Sequence, residues 1–370
     1  MKWSWKLATV AGIGVYVHAT FFLLLAWVGY AQWAAEHSVP AAVAGIVFIV
    51  ALFACVVLHE FGHALTARKY GIKTRDITLL PIGGLARLER MPDDPVQEFW
   101  VAVAGPAVNV VIAAALYIFL ILTGTWVPIS ELSVTGGSFL ERLFIVNVIL
   151  VVFNMLPAFP MDGGRVLRAL LAMNMDYGRA TNIAANVGQG MALLFGFVGL
   201  FSNPYLLFIA LFVWMGAQQE AAMTNMRVAL SGIPVTHTVV TEFHTLAPDD
   251  SLRHAANQIL LGSQQDFPVV EGDRVVGVLT RSDLFTALAN DGLNAPVSSV
   301  MRRDFQTVDA GEMLEGAFRR LQSCNCRTMP VLRGGRLVGL FTTENVGEYL
   351  SIQAALTHGG KGWKSALLDH

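Results

Sequence analysis

The sequence has little charge. Only 14% of its 370 residues are charged, against about 25% in ordinary soluble domains, while 54% are hydrophobic and the mean hydropathy is +0.54. That excludes a disordered chain, argues against a soluble globule and points to a membrane protein. The shortage is local: residues 1–225 hold 24 charged side chains, whereas the shorter stretch 226–370 holds 28. A lipid-embedded first part and a water-soluble second part follow. Net charge is also small, −2, which excludes a strongly basic nucleic-acid binder. Cysteine is scarce. Cys55, Cys324 and Cys326 are too few for a disulfide framework. The last two lie in the soluble part, which favours a reducing compartment, and they read as incidental thiols rather than a C-x-C metal pair. No small-residue cleavage site marks a removable signal peptide.

Six apolar stretches, at about 19–35, 41–67, 95–122, 138–156, 180–201 and 203–221, are long enough to span about 30 Å of hydrocarbon, which takes about 20 helical residues. The last two are hinged at Ser202, Asn203 and Pro204. If the spans alternate, Lys2, Lys6, Arg68, Lys69, Lys73, Arg75, Arg87, Arg90, Arg165, Arg168 and Arg179 share one side. The opposite loops, 31–40, 123–138 and 202–204, contain no Lys or Arg, and Arg142 alone breaks the pattern. This asymmetry predicts cytoplasmic termini and a cytoplasmic soluble part.

Inside the second stretch the order is His59-Glu60-Phe61-Gly62-His63, the pattern H-E-x-x-H. On a helix, positions i and i+4 share a face, so both imidazoles reach one metal ion. Glu60 stands beside them, placed to take a proton from water. Ionisable groups in an apolar run are costly in lipid and call for a functional partner. The alternative is a pair of interhelical hydrogen-bonding histidines with a neutral Glu. Catalytic zinc takes three protein ligands and leaves one position open. The candidate for the third is Asp162, in Asn154-Met155-Leu156-Pro157-Ala158-Phe159-Pro160-Met161-Asp162-Gly163-Gly164-Arg165. Pro157 and Pro160 break the helix there and let a carboxylate turn back toward the second span at matching depth. The alternative is that Asp162 caps a helix beginning at Gly163 or pairs with Arg165.

HEFGH in the second span and N-x-x-P-x-x-x-x-D-G at the end of the fourth together resemble the site-2 protease family of intramembrane zinc metalloproteases. That resemblance covers the whole membrane half, including the order of the motifs. It implies one Zn2+ per chain held by His59, His63 and Asp162, with Glu60 as general base. Asn154 would position the scissile peptide or stabilise its oxyanion. Gly105-Pro106-Ala107-Val108-Asn109 matches the family's G-P-x-x-N element, read as structural packing. Thr78-Leu79-Leu80-Pro81-Ile82-Gly83-Gly84-Leu85-Ala86-Arg87 looks like its membrane-associated β-loop, whose strand edge would hold an unwound substrate by β-addition. An ordinary cytoplasmic connection is the alternative. His18 reads as interfacial packing rather than a ligand. The resemblance implies hydrolysis of single-span membrane proteins, such as anti-sigma factors or membrane-tethered transcription regulators, in regulated intramembrane proteolysis.

Residues 237–350 repeat themselves at an offset of 62. Phe267-Pro268-Val269-Val270 matches Met329-Pro330-Val331-Leu332, and Val275-Val276-Gly277-Val278-Leu279-Thr280 matches Leu337-Val338-Gly339-Leu340-Phe341-Thr342. Each repeat reads as an α/β unit with a tight hairpin at Gly272-Asp273 or Gly334-Gly335, and two such units should pack about a pseudo-twofold axis. The repeat is similar to a tandem CBS domain pair, which implies an adenine nucleotide (ATP or AMP) as regulatory ligand and a homodimer through these domains. Its G-h-h-T-x-x-D element implies Thr280, Asp283 and Thr342 as nucleotide-binding residues. Asn345 replaces the second Asp, which puts one of the two sites in doubt; a ligand-free docking module is the alternative. The expected organisation is a six-span membrane metalloprotease domain (1–230), a linker (231–236), two CBS domains (237–292 and 293–352) and a loose tail (353–370). Absence of a PDZ-like insertion leaves substrate selection to the CBS pair and the membrane gate. The competing reading is a CBS-gated metal transporter or channel. It would show polar residues in several spans and on both sides of the midplane, whereas these groups gather at one depth.

Overall fold

The computed structural model describes residues 3–81, 83–89, 92, 94–126, 137–290, 292–324 and 326–358. Ile82, Arg90, the 127–136 stretch and the tail residues Gly359, Gly360, Lys361, Trp363 and Lys364 lie outside the described residues. The chain divides into two compact units, Met1–Asn225 and Met226–His370.

In the first unit, β1 (Ser4–Val10) and β2 (Ile13–His18) form a hairpin that leads into α1 (Ala19–Glu36) and α2 (Val39–Lys69). Then come β3 (Thr74–Leu80), β4 (Gly83–Leu88), α3 (Pro95–Leu122), α4 (Phe139–Asn154), α5 (Asp162–Ala172), α6 (Tyr177–Phe201) and α7 (Tyr205–Leu230), whose last residues, from Met226, belong to the second unit. The helix starts are written locally. Ser38 caps α2 with Pro40 in its first turn, Asp94 caps α3 ahead of Pro95, and Ser138 with Glu141 closes a capping box on α4. The four strands form one sheet in the order β1-β2-β3-β4, with β2 and β3 parallel and the outer pairs antiparallel. Ile13 and Val15 of β2 and Ile77 of β3 pack on Phe61 and Ala64 of α2. The sheet therefore rests on the turns of α2 that carry His59 and His63. Arg87 donates to both carboxylate oxygens of Asp76 at 2.8 and 2.6 Å, tying β4 to β3.

All six apolar stretches are helical. Among the described residues, four helices, α2, α3, α6 and α7, are long and apolar enough to cross a membrane by length and composition. The other two, α1 with 18 residues and α4 with 16, stand at the short end of the roughly 17–25 residues a span takes, and the expected count of six is not confirmed. The first unit is thus a helical membrane region with four candidate spans.

α5 is short and amphipathic, and a buried arginine anchors it. Arg168, 1% exposed, donates to Glu98 of α3 and to Glu220 of α7, and its guanidinium lies over the rings of Phe159 and Tyr177. One arginine thereby joins three helices and holds the helix that begins at Asp162.

The second unit is an α/β repeat. Its elements are β5 (Val239–Val240), α8 (Leu252–Leu261), β6 (Phe267–Glu271), β7 (Arg274–Leu279), α9 (Arg281–Asn290), β8 (Val308–Asp309), α10 (Leu314–Ser323), β9 (Thr328–Arg333), β10 (Arg336–Thr342) and α11 (Thr343–His358). The two repeats exchange their leading segments. Pro234 of the linker and Val240 at the start of the first repeat pair with Met313 and Leu340 of the second. Pro296 and Arg302, at the start of the second, pair with Ser251 and Val278 of the first. The cores follow suit: Val235 is buried among Val308, Leu314 and Phe341, and Val297 among Leu246, Leu252 and Leu279. Cys324 and Cys326, expected as separate thiols, are joined by a disulfide where the chain turns after α10 and brings their Cα atoms to 5.2 Å.

Two outcomes follow. Glu98→Ala strips the buried Arg168 of one counter-charge and is expected to cost about 3–5 kcal/mol, read as thermal stability in detergent; a loss under about 1 kcal/mol contradicts the anchor. A 226–292 fragment lacks Val297 and Met301 and is expected not to unfold cooperatively, whereas 226–358 does; a cooperative transition in the shorter fragment contradicts the exchange.

Candidate metal centre

His59 and His63 lie one turn apart on α2, and Asp162 is the first residue of α5. All three are buried, at 6%, 5% and 7% exposure. Nε2 of His59 and Nε2 of His63 are 3.1 Å apart, and each lies 3.2 Å from Oδ2 of Asp162. The triangle is nearly equilateral. A tetrahedral ion with bonds of about 2.0–2.1 Å holds its ligand atoms about 3.3 Å apart, so the triangle matches one face and leaves the fourth corner open. His63 Nδ1 lies 2.7 Å from the backbone carbonyl of Val101. A carbonyl only accepts, so Nδ1 carries the hydrogen and Nε2 turns a lone pair toward the other two ligand atoms. Such convergence of lone pairs and a carboxylate in a buried site is repulsive without a cation. The residues present fit a zinc ion.

The third side chain arrives through a broken helix. After α4 ends at Asn154 the chain turns through 155–161 and restarts at Asp162, whose Oδ1 is 4.0 Å from Arg165. Met161, not Asp162, occupies the cap of α5 and makes no side-chain cap bond. A Cβ on Gly163 would lie 2.3 Å from the Leu156 carbonyl oxygen, and one on Gly164 would lie 2.6 Å from the Ala158 backbone. The two glycines let α5 dock directly on the turn.

Glu60 faces β4, where its Oε2 accepts the Ala86 N–H at 3.2 Å. A Cβ on Gly84 would stand 2.8 Å from Glu60 Cγ, so that glycine admits the close approach. A cavity of about 500 Å³ is lined by His59, Glu60, His63, Asn154, Asp162 and the Gly83–Ala86 part of β4. The structure thus brings five expected site residues to one cavity. His18 is elsewhere, capping α1 through Nδ1 and Thr20. Two contributors were not singled out from the sequence for this site. Gly105 faces the imidazoles so closely that a Cβ would lie 2.2 Å from His63 Nε2 and 2.7 Å from His59 Nε2. Asn109 reaches His59 Nδ1 at 2.6 Å. Both belong to the G-P-x-x-N element, whose spacing was the available signal.

The chain matches the model of peptidase family M50 over residues 47–195 and that of the CBS domain over 230–290 and 297–351. It is 31% identical to "Zinc metalloprotease MJ0392" of Methanocaldococcus jannaschii, over 95% of this chain and 97% of that one. The chain belongs to peptidase family M50. It is also 29% identical to "Putative zinc metalloprotease sll0528" of Synechocystis sp., over 95% and 96% of the two chains. Among solved structures it is similar to the site-2 protease from Methanocaldococcus jannaschii, with 39% identity, 59% of this chain and 95% of that chain covered, and a TM-score of 0.44. The M50 chain is a site-2-type zinc metalloprotease with a tandem CBS pair.

The CBS pair of this M50 protease has a cavity of its own, about 890 Å³, lined by Thr280, Arg281, Phe285, Arg302 and Arg327 among others. Thr280 donates to Asp283 at 2.6 Å, and Arg302 donates to both carboxylate oxygens at 2.6 and 3.0 Å. The guanidinium holds the Asp283 carboxyl below the usual carboxylate range. In the second repeat Thr342 Oγ1 accepts the Asn345 backbone N–H at 3.1 Å, and the Asn345 side chain donates to the Thr238 carbonyl at 3.2 Å. Asn345 is occupied by a structural bond at the position corresponding to Asp283.

Gly105→Ala places a methyl group inside the imidazole pair. Zinc content of the purified M50 variant is expected to fall at least about tenfold with helicity unchanged; wild-type zinc content contradicts the geometry.

Proposed function

We propose that the chain hydrolyses a peptide bond within or near the transmembrane segment of a single-span membrane protein, with His59, His63 and Asp162 as the zinc ligands. The observation that carries this reading is the buried Nε2–Nε2–Oδ2 triangle with Glu60 beside it in one cavity. A bound zinc ion supplies Lewis acidity to the scissile carbonyl and to the attacking water. Glu60 takes the proton from that water at a carboxylate oxygen and returns it to the leaving amine nitrogen. The Asn154 amide donates to the scissile carbonyl oxygen, where negative charge develops. A transmembrane helix hides its peptide bonds, so the substrate must first be extended. Among the described residues β4 is an edge strand of the sheet and borders the cavity, so its outer edge, where Glu60 now takes the Ala86 N–H, supports β-addition.

Six passes with cytoplasmic termini fit the one-sided distribution of Lys and Arg, and anti-sigma factors or membrane-tethered transcription regulators are the substrate class. The CBS pair (237–292 and 293–352, after a 231–236 linker) binds an adenine nucleotide, ATP or AMP, and regulates cleavage. The CBS cavity supports this reading: Arg281, Arg302 and Arg327 offer phosphate partners near Thr280 and Asp283. Thr342 is the weaker candidate, because its neighbour Asn345 is committed to Thr238. Homodimerisation runs through the same domains. A transporter is not favoured, because the ionisable ligands sit in a closed three-residue set rather than along a path.

The test is cleavage of a labelled single-span substrate by purified protein in detergent. Glu60→Gln is expected to reduce the rate by about 10²–10⁴-fold with zinc retained, and a chelator to abolish it. Wild-type activity in Glu60→Gln or after zinc removal contradicts the mechanism. AMP or ATP is expected to raise the thermal stability of the wild type and not of Arg302→Ala; no shift in the wild type contradicts nucleotide binding.

A further inference from the structure

His59 can serve the centre only if the hydrogen of its neutral ring sits on the nitrogen that faces away. What decides this lies two helices distant. His59 Nδ1 is 2.6 Å from Asn109 Oδ1 on α3, Asn109 Nδ2 is 2.8 Å from Asn147 Oδ1 on α4, and Asn147 Nδ2 is 2.8 Å from the Leu143 backbone carbonyl. Asn109 and Asn147 are both fully buried, at 0% exposure, so each amide must find its partners inside the protein.

The polarity of this chain is forced from its far end. The Leu143 carbonyl only accepts, so it requires the NH2 of Asn147. That turns Asn147 Oδ1 toward Asn109, and this oxygen in turn requires the NH2 of Asn109. Asn109 Oδ1 is then left facing His59, and it requires a hydrogen on Nδ1. Reversing Asn109 alone opposes two oxygens at 2.8 Å; reversing both amides moves the same conflict to Leu143. We infer that Asn147 and Asn109 form a one-way amide relay, anchored on the Leu143 carbonyl, that fixes His59 as its Nδ1–H tautomer and bares Nε2 to His63 and Asp162. The inference rests on the metal reading of the site. Asn109 and Asn147 are positioning residues: the relay does for His59 what the Val101 carbonyl does directly for His63. It also sets the rotation of α4, on which Asn147 and Asn154 lie seven residues, two helical turns, apart on one face.

The test uses the full chain in detergent, with Zn2+ affinity from chelator competition, the absorption spectrum of the Co2+-loaded protein, and thermal stability measured in parallel. Asn109→Leu is expected to weaken Zn2+ binding about 10–100-fold and to alter the Co2+ spectrum. Asn147→Leu weakens it less, because Asn109 still touches His59 but has lost its fixed polarity. The Asn109→Leu/Asn147→Leu double variant is expected to bind Zn2+ no more weakly than Asn109→Leu, since both act through one chain. It should nevertheless be more stable than Asn109→Leu, which leaves the Asn147 oxygen buried and unpaired. Affinity and stability therefore separate, which a merely structural role would not produce. Wild-type affinity in Asn109→Leu, or an affinity that recovers with stability in the double variant, overturns the relay. If Asn109→Leu fails to fold, the double variant decides alone. A wild-type chain that binds no Zn2+ overturns the metal reading itself, and the relay with it.

Discussion

Two imidazole nitrogens and a carboxylate oxygen that repel one another are held 3.1–3.2 Å apart in the interior of the first unit, and the surrounding structure is organised around that constraint. Two nitrogen lone pairs and a carboxylate do not converge in a buried site without a cation to share. The fold supplies the restraint. α2 delivers both imidazoles on one face, Gly105 of α3 leaves them room, and the break after α4 starts a new helix on the carboxylate. Arg168, tied to Glu98 and Glu220, keeps that new helix in place. The sheet of β1–β4 covers the turns of α2 that carry the histidines and sets its edge strand against Glu60.

Features that depend on neighbours along the chain were legible in the sequence. H-E-x-x-H is a statement about one helical turn, and Pro157 and Pro160 mark a local break, which made Asp162 a candidate beside His59 and His63; the resemblance to the site-2 protease family joined the three as one implied ligand set. The offset repeat in the second unit was legible for the same reason, since hairpin turns and strand patterns recur at fixed spacing. What was not legible depends on helices approaching across long separations. That a Cβ on Gly105 would collide with His63, or that Asn147 would complete a chain to His59, follows from helix rotation that no local pattern encodes. Likewise Arg168 counted in the sequence as one more basic residue on the cytoplasmic side, whereas burial makes it a three-helix anchor. The β1–β2 hairpin also escaped notice, because β1 is exposed along nearly all its length and lacks the alternation that marks a half-buried strand. Two apolar stretches read as spans from composition form helices of only 18 and 16 residues.

In the second unit the repeats are built into each other. Each repeat's core takes in a residue from the segment leading into the other, Val235 in one case and Val297 in the other. The same exchange places Arg302 on Asp283, so a ligand that engages Asp283 must compete with a charge-assisted pair. Under the proposed nucleotide reading, an anionic group that draws off the guanidinium would lower that cost.

The measurement that bears most directly on this account is X-ray absorption at the zinc edge of the purified chain, with His59→Ala and Asp162→Ala beside the wild type. The account predicts one zinc per chain with two imidazole nitrogens and carboxylate oxygen in its first sphere, lost or rearranged in both variants. Sulfur ligation, or an unchanged spectrum in both variants, would place the metal elsewhere and contradict the centre described above.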